Sequence, residues 1–137
     1  MKEFSCPSNA IITPHPGEAA MLLDCSVEEL QKNRLEAAKE LYKRYNCLII
    51  LKGYQTIVFD GEAYQCTDGG PALSTAGTGD VLAGLIGSFL AQGLSKIDAA
   101  RFSVAIHGAA GDKFSKNKRG RGLTATKLIK IINEEVL

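Results

Sequence analysis

The residues best equipped for chemistry lie in the run Ser74-Thr75-Ala76-Gly77-Thr78-Gly79-Asp80-Val81-Leu82-Ala83-Gly84. Small residues there let the backbone close on a ligand. A helix starting near Gly79 turns its unpaired N–H groups and the positive end of its dipole toward whatever binds. That combination suits an anion. The dipole contributes only about 0.3–1 kcal/mol, up to about 2 when partly buried, so several N–H donors are needed to hold a phosphoryl group through its transition state. Asp80 is unexpected in such a cradle, because a carboxylate beside a phosphate costs affinity unless it has a task. Accepting the proton of an attacking hydroxyl is one, worth about 10²–10⁴-fold as general base. The plainer reading is a helix cap on a glycine turn, and the string alone leaves both open.

Two further segments bear on that choice. Thr13-Pro14-His15-Pro16-Gly17-Glu18 sets an imidazole and a carboxylate in a rigid loop after the apolar run Asn9-Ala10-Ile11-Ile12, where α/β sheets place their ligand crevices. Lys52-Gly53-Tyr54-Gln55-Thr56 follows the apolar run Cys47-Leu48-Ile49-Ile50-Leu51 in the same way. Tyr54 has the ring to stack on an adenine, although a surface turn accounts for it equally well. His107, on a small-residue helix, reads as packed or hydrogen-bonded rather than catalytic. Lys113, Lys116, Lys118, Arg119 and Arg121, around Gly120 and Gly122, read as a solvated loop, because no aromatic platform accompanies them.

The elements that must position these residues follow from periodicity. Ile11 and Ile12 read as a buried strand ended by prolines, with a short helix over 18–23 and Pro16 near its first turn. Ser26 and Glu29 have capping-box spacing. Behind them Val27, Leu30, Ala37, Ala38, Leu41 and Tyr45 form one apolar stripe, which predicts a single helix down to Tyr45. The run 47–51 is continuously apolar, the pattern of a strand covered on both faces. Residues 55–60 and 63–67 flank a turn at Gly61 and predict a hairpin. Helices are expected over 81–92, from Ser95 to about Lys113, and over 124–136. Gly84 and Gly87 in one helix, and Gly108 and Gly111 in the Gly108-Ala109-Ala110-Gly111 run of the next, cost up to about 1 kcal/mol each relative to Ala, which predicts close backbone packing of these helices on the sheet or on each other.

Composition excludes other classes. The 137 residues fit one domain, and 45% hydrophobic against 23% charged residues gives enough apolar material for a core. Sixteen Lys and Arg against fifteen Asp and Glu leave +1, so nothing in the overall charge argues for a nucleic-acid binder or a membrane-surface protein. Apolar runs fall far short of the roughly 20 residues that a membrane span needs. The first residues lack the apolar core of a secretory signal, so a cytoplasmic location is expected. Cys6, Cys25, Cys47 and Cys66 show neither a C-x-x-C pair nor a His at ligand spacing, so no metal site is expected.

Taken together, these segments resemble the ribokinase-like superfamily and, within it, the ADP/ATP-dependent NAD(P)H-hydrate dehydratases. The T-P-H-P-G-E loop, the L-K-G-x-x-T turn, the G-T-G-D-V-L-A-G segment followed by Ala91-Gln92-Gly93-Leu94, and the H-G-x-A-G-D stretch at 107–112 stand in that family's order and spacing. The resemblance runs from about Ile11 to Leu137. It implies a ribokinase-like layered α/β fold with a mainly parallel sheet flanked by helices, residues 1–137 being the C-terminal half of such a domain. It also implies dehydration of hydrated NAD(P)H, with ADP or ATP cleaved to phosphate and Mg2+ accompanying the nucleotide.

Residue by residue, the resemblance implies an anion hole from Gly77, Thr78 and Gly79. Asp80 would be the base that activates the substrate's ring hydroxyl. His15 and Glu18 would contact the hydrated nicotinamide nucleotide, while Lys52, Gly53, Tyr54, Gln55, Thr56 and Gly79 would line the adenine nucleotide site. Two positions depart from the family pattern: Gly70, where Asn is usual, and Ala76, where Gly is usual and a Cβ needs a negative φ. The G-T-G-D logic also serves a kinase of the superfamily acting on a small alcohol such as a vitamin precursor; the T-P-H-P-G-E loop favours the dehydratase. A catalytically silent nucleotide-binding fragment stays open too. Half a sheet leaves an unpaired edge and uncovered apolar surface, so a homo-oligomer is expected.

Overall fold

The computed structural model describes residues 5–118 and 122–137, in two compact units, Met1–Gln65 and Cys66–Leu137. Met1 to Phe4 and the basic residues Arg119 and Arg121 lie outside the described residues.

In the first unit, β1 (Ile11–Ile12) leads through α1 (Pro16–Leu23), α2 (Val27–Lys32) and α3 (Arg34–Tyr45) to β2 (Leu48–Leu51). β3 (Ile57–Phe59) and β4 (Ala63–Gln65) complete a four-stranded sheet in the order β1-β2-β3-β4. The pairing corrects one expectation. β1 and β2 are parallel, with Ile11 opposite Leu48, but β2–β3 and β3–β4 are antiparallel, so the sheet is mixed rather than mainly parallel. The connections decide this: the helices of 16–45 give β1–β2 its crossover, whereas 52–56 and 60–62 are too short for one and can only reverse the chain.

Asn33 supplies a second correction. At φ −146° and ψ 66° it leaves helical geometry and divides the expected single helix into α2 and α3. Asn competes for its own backbone and is among the weaker helix formers. The break still keeps one core: Leu30, Ala37, Ala38 and Leu41 pack with Ile49, Leu51, Ile57 and Phe59. Tyr42 meets Phe59 edge-on, with ring centroids 5.3 Å apart. Burying a side chain such as Leu41 fully is worth about 1.5–3 kcal/mol. Leu48 and Ile50 are buried as well, as the apolar run of β2 predicts, and so is Val58 of β3. The Ser26–Glu29 capping box forms as read, Glu29 accepting from the Ser26 N–H at 2.9 Å. Those contacts hold the Glu29 carboxyl below its usual range.

The second unit is helical. A 3-10 turn at Pro71–Ser74 precedes α4 (Thr78–Ala91), α5 (Lys96–Lys118) and α6 (Ala125–Ile131), which ends in a wider turn over Ile132–Val136. α4 begins earlier than periodicity indicates, because the apolar pattern starts only at Val81 whereas the turn that starts the helix is polar. α5 runs beyond Lys113, anchored by Phe114, which joins Ala72, Ala110, Leu123, Leu128 and Ile132 in the core. Its start is capped as expected, Ser95 Oγ accepting from the Asp98 N–H at 3.2 Å. The helical glycines divide: α5 packs closely at Gly108 and Gly111, as expected, whereas Gly84 and Gly87 overturn their reading, since a Cβ at either would meet nothing within 4 Å. Among the described residues no helix is long and apolar enough to cross a membrane.

Candidate functional site

In the second unit the expected anion segment forms the entry to α4. Gly77 sits at the N-cap with φ 87°, a conformation natural to glycine, and a Cβ there would lie 3.2 Å from Ala125 Cβ. Thr78 is turned inward: it is 3% exposed, its hydroxyl lies 2.6 Å from the Leu73 carbonyl oxygen and 2.8 Å from that of Thr75, and its N–H donates to Thr75 at 3.3 Å. Thr78 therefore builds the turn, and its side chain does not face a ligand. The N–H groups of Gly79 and Asp80 take no acceptor among the described residues. They are the donors an anion would use.

Asp80 does not cap its helix, since α4 has no side-chain cap. Its side chain is exposed and makes no hydrogen bond or ion pair among the described residues. The plainer reading of Asp80 is thereby set aside, and an unengaged carboxylate stands beside two unengaged N–H donors. Ala76 is absent from the residues with positive φ, so its Cβ is accommodated. A Cβ at Gly70 would meet nothing within 4 Å, so sterics do not demand glycine there. His107 is buried and hydrogen-bonded, as read: its Nε2 lies 2.8 Å from the Thr78 carbonyl oxygen.

In the first unit the two expected loops meet. The Lys52 N–H donates to the Pro14 carbonyl at 2.9 Å, joining the loop after β1 to the turn after β2. His15 is the N-cap of α1, its Nδ1 accepting from the Glu18 N–H at 3.2 Å while Glu18 Oε2 accepts from the His15 N–H at 2.8 Å. Because Nδ1 accepts, the proton of the neutral ring is on Nε2, which lies 3.4 Å from Glu18 Oε1. Gly17 makes room for the ring; a Cβ there would come within 3.0 Å of His15 Cε1. In the second loop Gly53 has φ 133°, Thr56 Oγ1 donates to the Gly53 carbonyl at 3.1 Å, and Gln55 Oε1 accepts from Gln65 Nε2 at 2.9 Å. Tyr54 is 74% exposed, so its ring is open to a planar ligand.

Sequence reasoning missed Arg34. Its Nη2 lies 3.1 Å from both the Leu51 and the Lys52 carbonyl oxygens, and its Nη1 donates to Gln31 Oε1 at 2.9 Å. A Cβ on Gly53 would lie 2.9 Å from Nη1, so the guanidinium occupies the space that glycine leaves. Burial pulls the Arg34 pKa below the usual arginine value, and the group stays charged. A signal existed: Arg34 falls on the buried register between Leu30 and Ala38, where a charge needs a reason.

A family model described as NAD(P)H-hydrate dehydratase matches residues 2–134. The bifunctional NAD(P)H-hydrate repair enzyme Nnr of Escherichia coli is 46% identical over 93% of this chain, a match that spans 26% of that protein. Among solved structures, an ADP/ATP-dependent NAD(P)H-hydrate dehydratase from Bacillus subtilis, co-crystallized with ATP/Mg2+, superposes with a TM-score of 0.89 at 34% identity. That match covers 96% of this chain and 49% of the other. A ribokinase-like superfamily protein from Enterococcus faecalis gives 0.81 at 31% identity, covering 94% and 45%. The fold is thus ribokinase-like α/β, and the chain spans about a quarter of the curated relative and about half of each structural neighbour.

Proposed function

The chain belongs to the NAD(P)H-hydrate dehydratase family, and from that membership we propose that it serves the nucleotide-dependent dehydration of hydrated NAD(P)H, with ADP or ATP cleaved to phosphate. The observation that carries the reading is the start of α4, where the Gly79 and Asp80 N–H groups and the Asp80 carboxylate are all unengaged among the described residues. In the proposed reaction the transferring phosphoryl group lies against Gly77, Gly79 and the Asp80 N–H, with Thr78 holding the turn. Asp80 takes the proton of the substrate's ring hydroxyl as that oxygen attacks the terminal phosphorus and the shortened nucleotide leaves, AMP from ADP or ADP from ATP; loss of phosphate together with a proton from the neighbouring ring carbon then gives NAD(P)H. His15 and Glu18 contact the hydrated nicotinamide nucleotide. Lys52, Gly53, Tyr54, Gln55 and Thr56 contact the adenine nucleotide, and so does Gly79.

Mg2+ belongs to the proposal as an ion carried by the nucleotide's phosphates, whose charge it offsets; such ions keep several waters and need few protein ligands. We place the chain as the C-terminal half of a dehydratase domain, working in the cytoplasm as a homo-oligomer. The four free cysteines accord with a reducing compartment.

The test is direct. ADP or ATP is titrated calorimetrically against the chain, hydrated NADH is added, and recovery of reduced nicotinamide absorbance is followed. Asp80→Asn should lose at least about 3 kcal/mol of transition-state stabilisation while nucleotide binding persists. Unchanged turnover removes Asp80 from the mechanism. Binding without any recovery favours a silent nucleotide-binding module, and a phosphorylated small alcohol as product favours the kinase.

A further inference from the structure

The H-G-x-A-G stretch of α5 takes no part in the chemistry just described, yet three of its residues grip the segment that leads into the cradle. His107 Nε2 lies 2.8 Å from the Thr78 carbonyl oxygen. A carbonyl oxygen only accepts, so Nε2 carries the proton and donates it. The carbonyl of Thr78 and the N–H of Gly79 belong to one planar trans peptide unit, in which they point opposite ways. Fixing the direction of the one fixes the other, so the His107 bond aims the Gly79 N–H away from α5. It also polarises that peptide, which strengthens its N–H as a donor.

The glycines of the same stretch form the seat. A Cβ at Gly108 would come within 2.8 Å of the Asp68 carbonyl oxygen and 3.1 Å of Asp68 Cβ. One at Gly111 would come within 2.6 Å of Leu73 Cγ. α5 therefore lies flush against residues 68–73, and the chain from there runs into the turn whose Leu73 and Thr75 carbonyls hold Thr78.

We infer that His107 is a positioning residue for the anion cradle, holding the Thr78–Gly79 peptide so that the Gly79 N–H faces the phosphoryl group, with Gly108 and Gly111 as the flat seat of that segment. The inference rests on the reading of the α4 entry as a phosphate site. It is tested on the full chain, labelled with 15N, as wild type, His107→Leu and His107→Gln. Leu removes the donor, whereas Gln carries its amide nitrogen near the position of Nε2.

The first readout is ligand-free: His107→Leu should displace the Gly79 and Asp80 amide resonances, and His107→Gln should leave them near their wild-type positions. The second is turnover with ADP and hydrated NADH. There His107→Leu should lower kcat at least about tenfold with a smaller change in KM, and His107→Gln should restore it to within about threefold. Gly79 and Asp80 resonances that do not move in His107→Leu, or a folded His107→Gln that fails as badly as Leu, would overturn the inference. Should His107→Leu not fold, His107→Asn, whose shorter amide falls short of Thr78, replaces it with the same two outcomes. Absence of turnover in the wild type counts against the proposed function, and the amide readout alone then decides the role of His107.

Discussion

The Lys52 N–H donates to the Pro14 carbonyl at 2.9 Å, a bond between two loops that are remote in sequence. It forms because β1 and β2 are parallel neighbours, so their C-terminal ends deliver both loops to one edge of the sheet. His15 and Glu18 follow from one loop, and Gly53 to Thr56 from the other. Arg34 braces the second loop from beneath.

Removal of that brace is the first prediction. Arg34→Met keeps much of the buried volume but leaves the Leu51 and Lys52 carbonyls without their shared charged donor. The expected loss is about 1–3 kcal/mol of folding stability. Arg34→Lys should recover little of it, since an ammonium cannot span both carbonyls and Gln31 as the planar fork does. Urea unfolding measures both variants; a Met variant as stable as wild type removes Arg34 from this role.

Gly77 and Ala76 give a paired prediction. Ala at Gly77 must adopt φ 87° and approach Ala125, so Gly77→Ala should cost about 1–2 kcal/mol and weaken ADP binding. The neighbouring exchange runs the other way in chemistry but has the same sign. Ala76 lies outside the positive-φ region, so Ala76→Gly only loosens the unfolded chain and should cost about 0.4–1 kcal/mol. Denaturant midpoints of the two variants check this, and a stabilised Gly77→Ala contradicts it.

Sequence patterns made the chemistry-bearing segments legible because those segments are short and local. A capping box, a proline-ended strand and a glycine turn each announce themselves within a few residues, and β2 and the β3–β4 hairpin follow from the apolar run and Gly61. What stayed hidden depends on contacts. Asn33 breaks a stripe whose spacing is continuous, Arg34 has meaning only beside Leu51 and Lys52, and Thr78 turns inward because Leu73 and Thr75 offer carbonyls. The mixed sheet was readable from its short connections, but the family resemblance spoke for a mainly parallel one.

Gly84 and Gly87 yield a prediction opposite to the packing role that their sequence implied. Both are exposed in the middle of α4 with nothing within 4 Å of an added Cβ. Gly84→Ala and Gly87→Ala should each stabilise the chain, by up to about 1 kcal/mol, because Ala lowers the entropy lost on forming the helix. Thermal melting with light scattering separates the outcomes. A rise in Tm at constant mass is expected; a fall in Tm together with loss of oligomer would make this face an interface between copies.

The last prediction concerns pH. Cys66 is buried, and burial pushes its thiol above the ordinary value of 9.0, against the lowering effect of a backbone hydrogen bond with Asp68. The neutral thiol is therefore favoured in the folded chain. A group whose folded pKa is raised contributes stability that is fully present below the unfolded value and is lost as pH rises through the folded one, so the chain should lose stability above about pH 9. Cys66→Ala should flatten that alkaline decline while leaving the neutral range little changed in slope. Alkylation followed by peptide mass spectrometry gives the parallel readout: the partly exposed Cys6 and Cys25 should react at about pH 8, and Cys66 should react only where the chain loosens. Labelling of Cys66 as fast as Cys6 at neutral pH, or an alkaline decline unchanged in Cys66→Ala, would show that this thiol is not held neutral by the fold.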